Sequence, residues 1–357
     1  MKALVIASAC ALLAAVAPGA ADPIEDFYKG KSMRLLVHTT PGGGYDSYAR
    51  LMARYITKHI AGTPSIVVQN MPGGGGLRQA NYVGNAAAQD GTVMALISQG
   101  LPLLQIADGE VENTRLEVDF QTFNWIGNLS DSNQVLVTWH TSPVKTFADA
   151  LTREELLGAS GVGSISVQLP AVVNNILATK FKIITGYPAG NEMNLAMERG
   201  EIRGRTANTL ASYKATTNFV TEGKLNYIFQ VGIAKEPDMP NVPLLTDLAK
   251  NDLDRAVLRV MTNISEFGRP VTTTPNVPRE RVGALRAAFQ AMLRDAEFRR
   301  DADKQRMEVG DMNGEQVEAL VAEIVTAPKP VVERLVAAME LPKDAVIKRA
   351  TAEKPAP

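Results

Sequence analysis

Short apolar runs alternate along the first half of the chain with segments whose apolar positions recur at three- and four-residue spacing. Residues 33–40, MRLLVHTT, form a run suited to a buried strand. After the turn PGGG the period changes: Tyr48, Leu51, Met52, Tyr55, Ile56 and His59 fall on one face of an amphipathic helix. Asp46 or Ser47 is placed to cap its start. The cycle repeats with a strand-like PSIVVQN (64–70), a turn MPGGGG (71–76), a helix-like LRQANYVGNAAA (77–88) and a strand in DGTVMALISQ (90–99). Strand, turn, helix, strand in this rhythm predicts an α/β domain with a largely parallel sheet.

The rhythm restarts after Trp125. NQVLVTWH (133–140), LLGASGVGS (156–164), FKIITGYPAG (181–190) and LNYIFQVGIA (225–234) read as strands or strand ends with their turns. SPVKTFADALT, SVQLPAVVNNILATK and NEMNLAMERGE read as helices between them, the second with Pro170 near its first turn. The C-terminal third differs. A proline-punctuated segment (237–249) leads into residues 277–305, which are strongly helical, and 313–339 give two more helices around a proline break. AEKPAP at the end reads as a loose tail.

The N-terminus has the layout of an export signal. Lys2 supplies the positive charge, Ala3 to Ala17 the apolar core, and the small residues that follow favour cleavage after Ala21. Cys10, the single cysteine, lies inside that segment, so a chain cleaved there has no thiol for a disulfide or a metal. No later stretch is long and apolar enough to span a membrane. A net charge of −1 and a mean hydropathy of −0.05 give no sign of a nucleic-acid or membrane-surface binder.

The glycine turns carry the candidate chemistry. Neither PGGG turn is followed by the lysine a phosphate-binding P-loop needs: Tyr45 and Asp46 follow one, Leu77 and Arg78 the other. Ser47 stands where a dinucleotide fingerprint needs its third glycine. His38, His59 and His140 are scattered, with no metal-ligand spacing among them; His38, just before the first turn, reads as a core histidine. No G-x-S-x-G elbow appears, although a serine–histidine–acid arrangement assembled by the fold stays open. What remains is PGGGYDS, PGGGGLR, SGVGSIS and YPAGNE, each between a strand and a helix. Such turns gather at the carboxyl edge of parallel strands, where helix N-termini offer free N–H groups to an anion. They suit a carboxylate and supply no catalyst.

The ordered set PGGGYDSYAR (41–50), VVQNMPGGGGLRQANYV (67–83) with DGTVMAL (90–96), ITGYPAGNEMNLAMERGEI (184–202) and MPNVPLLTDLA (239–249) resembles the extracytoplasmic solute-binding receptors of tripartite tricarboxylate transporters, the Bug receptor family. The resemblance runs from roughly residue 30 to 340 and implies an α/β, two-lobed, periplasmic-binding-protein-like type II fold with a ligand cleft between lobes. Residues 22–130 and 251–350 would form lobe one, 131–250 lobe two, 1–21 the signal and 351–357 a flexible tail. It implies a small organic carboxylate as ligand, membrane subunits of the transporter as partners, a periplasmic location, and neither catalysis nor cofactor. Carried over by motif, Gly42, Gly43, Gly44, Tyr45, Asp46, Gly73, Gly74, Gly75 and Gly76 form the lobe-one side. Ser160, Gly161, Gly163, Ser164, Tyr187, Pro188 and Ala189 form the lobe-two side.

Two departures bear on the ligand. Tyr45 stands where a small residue is common, and its ring narrows the cleft or points along the surface. Arg203 and Arg205 stand where acidic or small residues are frequent; Arg205 pairs with a second carboxylate or is a solvated surface arginine. Asp46 is assigned to helix capping rather than acid catalysis. A monomer is expected. The rival readings are a ligand receptor for a sensor kinase and an exported α/β hydrolase.

Overall fold

The computed structural model describes residues 22–107, 115–130, 133–341 and 346–348. The export signal with Cys10, and the 351–357 tail, lie outside the described residues. Two mixed sheets form the frame. The first has the order β2-β1-β3-β10-β4, from β1 (Ser32–Val37), β2 (Ser65–Asn70), β3 (Val93–Leu96), β4 (Asn124–Asn128) and β10 (Pro270–Thr273). The second has the order β11-β7-β6-β8-β5-β9, from β5 (Gln134–Trp139), β6 (Glu155–Gly158), β7 (Phe181–Thr185), β8 (Gly204–Thr209), β9 (Leu225–Val231) and β11 (Val346–Lys348).

Most of the strands predicted from apolar runs lie in the parallel parts: β1 pairs in parallel with β2 and β3, and β6 with β7 and with β8, whereas β5 and β9, predicted in the same way, pair with each other antiparallel. Each strand is followed by a helix that covers the sheet, the arrangement that buries parallel strands on both faces. Leu35 and Val37 of β1 and Met94 and Leu96 of β3 are wholly buried under Tyr48, Leu51, Met52 and Ile56 of the helix Gly44–Ile56, while Leu36 is buried on the other face of the sheet. The single element that reverses direction in the first sheet is β10, antiparallel to both β3 and β4.

The chain crosses between sheets more than the resemblance implies. It passes from β4 to β5, returns at β10, and crosses again at β11, which pairs in parallel with β7. Residues 251–350 were expected with lobe one, and that segment is divided. The helices Arg279–Arg294 and Gly314–Val325 pack on β4. The helix Lys329–Met339 packs instead on Ile165–Leu177, burying Val331, Leu335, Ala338 and Met339, and Asn175 Nδ2 donates to the carbonyl of Ala338 at 2.8 Å. The apolar stripe of this last helix covers whichever apolar face is free, and that face belongs to the second sheet.

Candidate functional site

Four helices begin around one cavity of about 330 Å³ between the sheets. From the first sheet's side come the helix Gly44–Ile56 and, through a short 3-10 turn Gly74–Gly76, the helix Leu77–Asn85. From the other side come the helices Ile165–Leu177 and Gly190–Glu198. Gly43, Gly76 and Ala189 cap their helices with no side-chain bond; at the fourth, Ser164 Oγ accepts from the N–H of Ser166. First-turn N–H groups therefore stay available, and their dipoles make this end of each helix positive.

Most residues expected from the glycine turns lie in the cavity wall: Gly43, Gly44, Tyr45, Gly73, Gly74, Gly75, Ser160, Gly161, Ser164, Tyr187, Pro188, Ala189 and Arg205. Gly42, Asp46, Gly76 and Gly163 lie outside it. Gly42 lines a neighbouring cavity of about 310 Å³ that shares Gly43, Gly44, Gly190, Arg205 and Asn208 with the first. Gly163 donates its N–H to the carbonyl of Gly74 at 3.1 Å, joining the two sides.

Asp46 is not the N-cap, which is Gly43. From the first turn its buried carboxylate reaches back to accept the N–H of Gly42 at 2.9 Å and meets Arg50 at 2.8 Å and Asn70 at 2.9 Å. It fixes the shape of the glycine loop. Burial pushes its carboxyl up, but hydrogen bonds from Arg50, the Gly42 N–H and Asn70 outweigh that and hold it below the usual range.

The second glycine loop meets the opposite lobe backbone to backbone. Gly75 has φ 70°, and a Cβ there would lie 2.5 Å from the nitrogen of Ser164 and 2.7 Å from the oxygen of Gly161. Only glycine tolerates both the dihedral and the approach. Side chains complete the closure: Thr40 Oγ1 donates to Glu192 at 2.9 Å, and Gln168 Nε2 donates to the carbonyl of Gly100 at 3.1 Å.

Arg205 is not a surface arginine; it is 3% exposed. Its Nη1 donates to the carbonyl of Gly190 at 2.7 Å and to Asn194 at 2.9 Å. Burial lowers its pKa, and Arg269 adds to that, while Tyr213 and Glu192 oppose it. A bulge re-aims this strand: the β5–β8 register shifts between Val135 and Val137, and Ala207 takes φ 58°. That is how Arg205 and Asn208, three positions apart, both line the cavity.

Sequence reasoning missed Arg269. It stands just before β10, is 4% exposed, and lines the same cavity. Its guanidinium lies 4.3 Å from the Tyr45 ring and 5.4 Å from that of Tyr48, and Nη2 donates to Ser212 Oγ on the other lobe at 2.6 Å. Tyr45 thus turns inward, with its hydroxyl accepting from the Gln99 N–H at 3.3 Å. Burial raises its pKa. His38 also belongs to the wall, edge-on to Tyr45 at 4.2 Å. Its Nδ1 faces the Leu96 carbonyl at 3.3 Å, which makes that nitrogen the protonated one. Burial lowers its pKa to about 4, so the ring is neutral at pH 7.

Among the described residues no group of histidines, cysteines and carboxylates is arranged to hold a metal, and no helix is long and apolar enough to cross a membrane.

Residues 48–336 match the tripartite tricarboxylate transporter family receptor profile. A UPF0065 protein of Agrobacterium vitis is 24% identical over 239 residues, covering 64% of this chain; the chain spans about 65% of that relative's length. The fold is close to several solved structures. The periplasmic binding protein BugD has a TM-score of 0.66 at 16% identity, over 87% of this chain and 98% of its own. MatC from Rhodopseudomonas palustris, solved with malate, has 0.65 at 18%, over 87% and 99%. A further R. palustris protein, solved with adipate, has 0.66 at 17%, over 85% and 97%. With two α/β halves around one cleft and a profile match over most of its length, the chain belongs to the tripartite tricarboxylate transporter receptor family.

Proposed function

We propose that this protein is a periplasmic receptor that captures a small organic carboxylate and hands it to the membrane subunits of a tripartite tricarboxylate transporter. The carrying observation is the cavity itself, walled by helix N-termini from both sheets and closed by contacts between them. At about 330 Å³ it lies at the small end of small-molecule sites. In the open protein the lobes would present two rims of N–H donors. A carboxylate bridging them binds the closed form more tightly and shifts the population towards it. The closed form is then the surface that membrane subunits recognise. The proposed ligand residues are those of the glycine turns that wall the cavity, together with Tyr45, Tyr187, Pro188, Ala189 and Arg205. The solved relatives with malate and adipate support a small carboxylic acid as the cargo class.

The site supports binding without catalysis. Among the described residues the hydrogen bonds of the Ser164 and Ser166 hydroxyls go to each other, to Ser160 and to backbone N–H groups, not to a base. We read the receptor as a monomer without cofactor. A thermal-shift screen of dicarboxylates, tricarboxylates, aromatic acids and amino acids on the chain from residue 22 tests the assignment. At least one acid is expected to raise the melting temperature in proportion to its affinity. A screen in which no acid does so contradicts it.

A further inference from the structure

Arg205 and Arg269 are both almost wholly buried and both line the cavity, one from each side of the cleft. Their hydrogen bonds go to neutral groups: Gly190 O and Asn194 for Arg205, Gly268 O and Ser212 for Arg269. In each the Nε–H is buried without a partner. Among the described residues neither makes an ion pair with a carboxylate. Glu192 acts on Arg205 from farther off, and one of its oxygens is taken by Thr40. Two buried cations that repel each other, each against the positive end of a helix, form an unfavourable arrangement unless something anionic joins them.

The backbone makes room for this arrangement. A Cβ on Gly44 would sit 3.0 Å from Arg269 Nη2, and one on Gly190 would sit 2.8 Å from Arg205 Nη1. Each glycine therefore admits one guanidinium against the first turn of its own helix.

We infer that Arg205 and Arg269 form a charge-reading subsite, which makes this receptor selective for a dianion over both monoanions and trianions. The inference rests on the carboxylate reading above. One carboxylate of the ligand lies on the helix N-termini. The two guanidinium charges, set against the single charge of Glu192, leave one positive charge for the second carboxylate. A third carboxylate has no counterpart and is desolvated at a loss. The ligand class is a dicarboxylate, despite the tricarboxylate in the family's description.

The test is calorimetric titration with succinate, glutarate, adipate and pimelate, each beside its own monoamide, and with tricarballylate, which is glutarate bearing a third carboxylate. The tightest diacid is expected to bind about 100-fold better than its monoamide, because the neutral amide leaves a buried charge unmatched. Glutarate is expected to bind about 10-fold better than tricarballylate. Arg205→Gln and Arg269→Gln should each shrink the ratio of diacid to monoamide affinity from about 100-fold towards unity. Glu192→Gln removes the opposing charge and should shift preference towards tricarballylate. Circular dichroism and melting temperature establish that the variants fold, and the comparison of diacid with monoamide on the unaltered protein stands without them. A monoamide within about threefold of its diacid overturns the dianion inference and leaves carboxylate capture intact. Tricarballylate binding more tightly than glutarate overturns the charge count. Binding of no acid in either set overturns both readings.

Discussion

The chain carries two PGGG turns whose letters are nearly the same and whose work differs. The first, at 41–44, opens directly into the helix Gly44–Ile56 and is tied down by Asp46 through the N–H of Gly42. Its last glycine makes room for a side chain, the guanidinium of Arg269. The second, at 72–76, passes through the 3-10 turn Gly74–Gly76, and those three glycines and Gly73 before them all have positive φ. Gly75 in it makes room for backbone, the loop 161–164 of the other lobe, while Gly73, Gly74 and Gly76 stand against side chains of their own lobe. A side chain can shift when crowded and a backbone cannot do so cheaply. The two loops therefore differ in how much a single methyl group should cost.

The largest effect is expected at the second loop. Gly75→Ala forces a residue with a Cβ into φ 70° and sets that carbon against the 161–164 backbone. Ligand affinity should fall about 100-fold or more, measured by calorimetry, with the open protein still folded. At the first loop Gly44→Ala meets Ser212 Oγ at 2.7 Å and Arg269 Nη2 at 3.0 Å, both ends of side chains. Here a loss of about 10-fold is expected. Equal losses at the two positions would remove the distinction between them.

Anchoring sharpens the comparison further. Asp46→Ala releases Gly42, Arg50 and Asn70 together and should lower stability by about 1–3 kcal/mol in urea unfolding. The folded protein holds this carboxyl below its unfolded value, so the contribution is complete above about pH 4 and is lost as pH falls through the folded value. His38 acts in a different window. It is neutral in the folded protein down to about pH 4, whereas the unfolded chain takes up the proton near its ordinary value of 6.5. Stability should therefore fall as pH drops between those values, with a slope near 1.4 kcal/mol per pH unit at most. His38→Gln should flatten that slope, and an unchanged slope would mean the ring is protonated when folded.

Much of this was legible in the sequence, for reasons particular elements make clear. β1, β6 and β7 are parallel strands with buried apolar positions, so they announce themselves as apolar runs before glycine turns; β2, a parallel edge strand with Val67 exposed, reads the same way from its letters. The cavity wall followed, because such turns collect at one sheet edge. β10 was not legible: it begins with a proline and half of it is threonine, yet it lies between β3 and β4. With it went Arg269, whose signal is only an arginine ahead of a β-branched run. The bulge in β8 was equally hidden, since Ala207 in a left-handed conformation leaves no mark in the letters. Arg205 was singled out as unusual, but nothing local tells a buried arginine from a solvated one; its burial comes from Gly190, Asn194 and Tyr213. The last helix and β11 went to the second sheet because burial is decided by which face is left uncovered.

The central claim is that this cleft holds a small acid, and native mass spectrometry of the protein from residue 22 onward, purified from cells and then gently unfolded, tests it most directly. A small dicarboxylic acid should be released in stoichiometric amount, or taken up to stoichiometry when the acids are added. Release of a nucleotide or a metal ion, or a protein that takes up no acid, would contradict it.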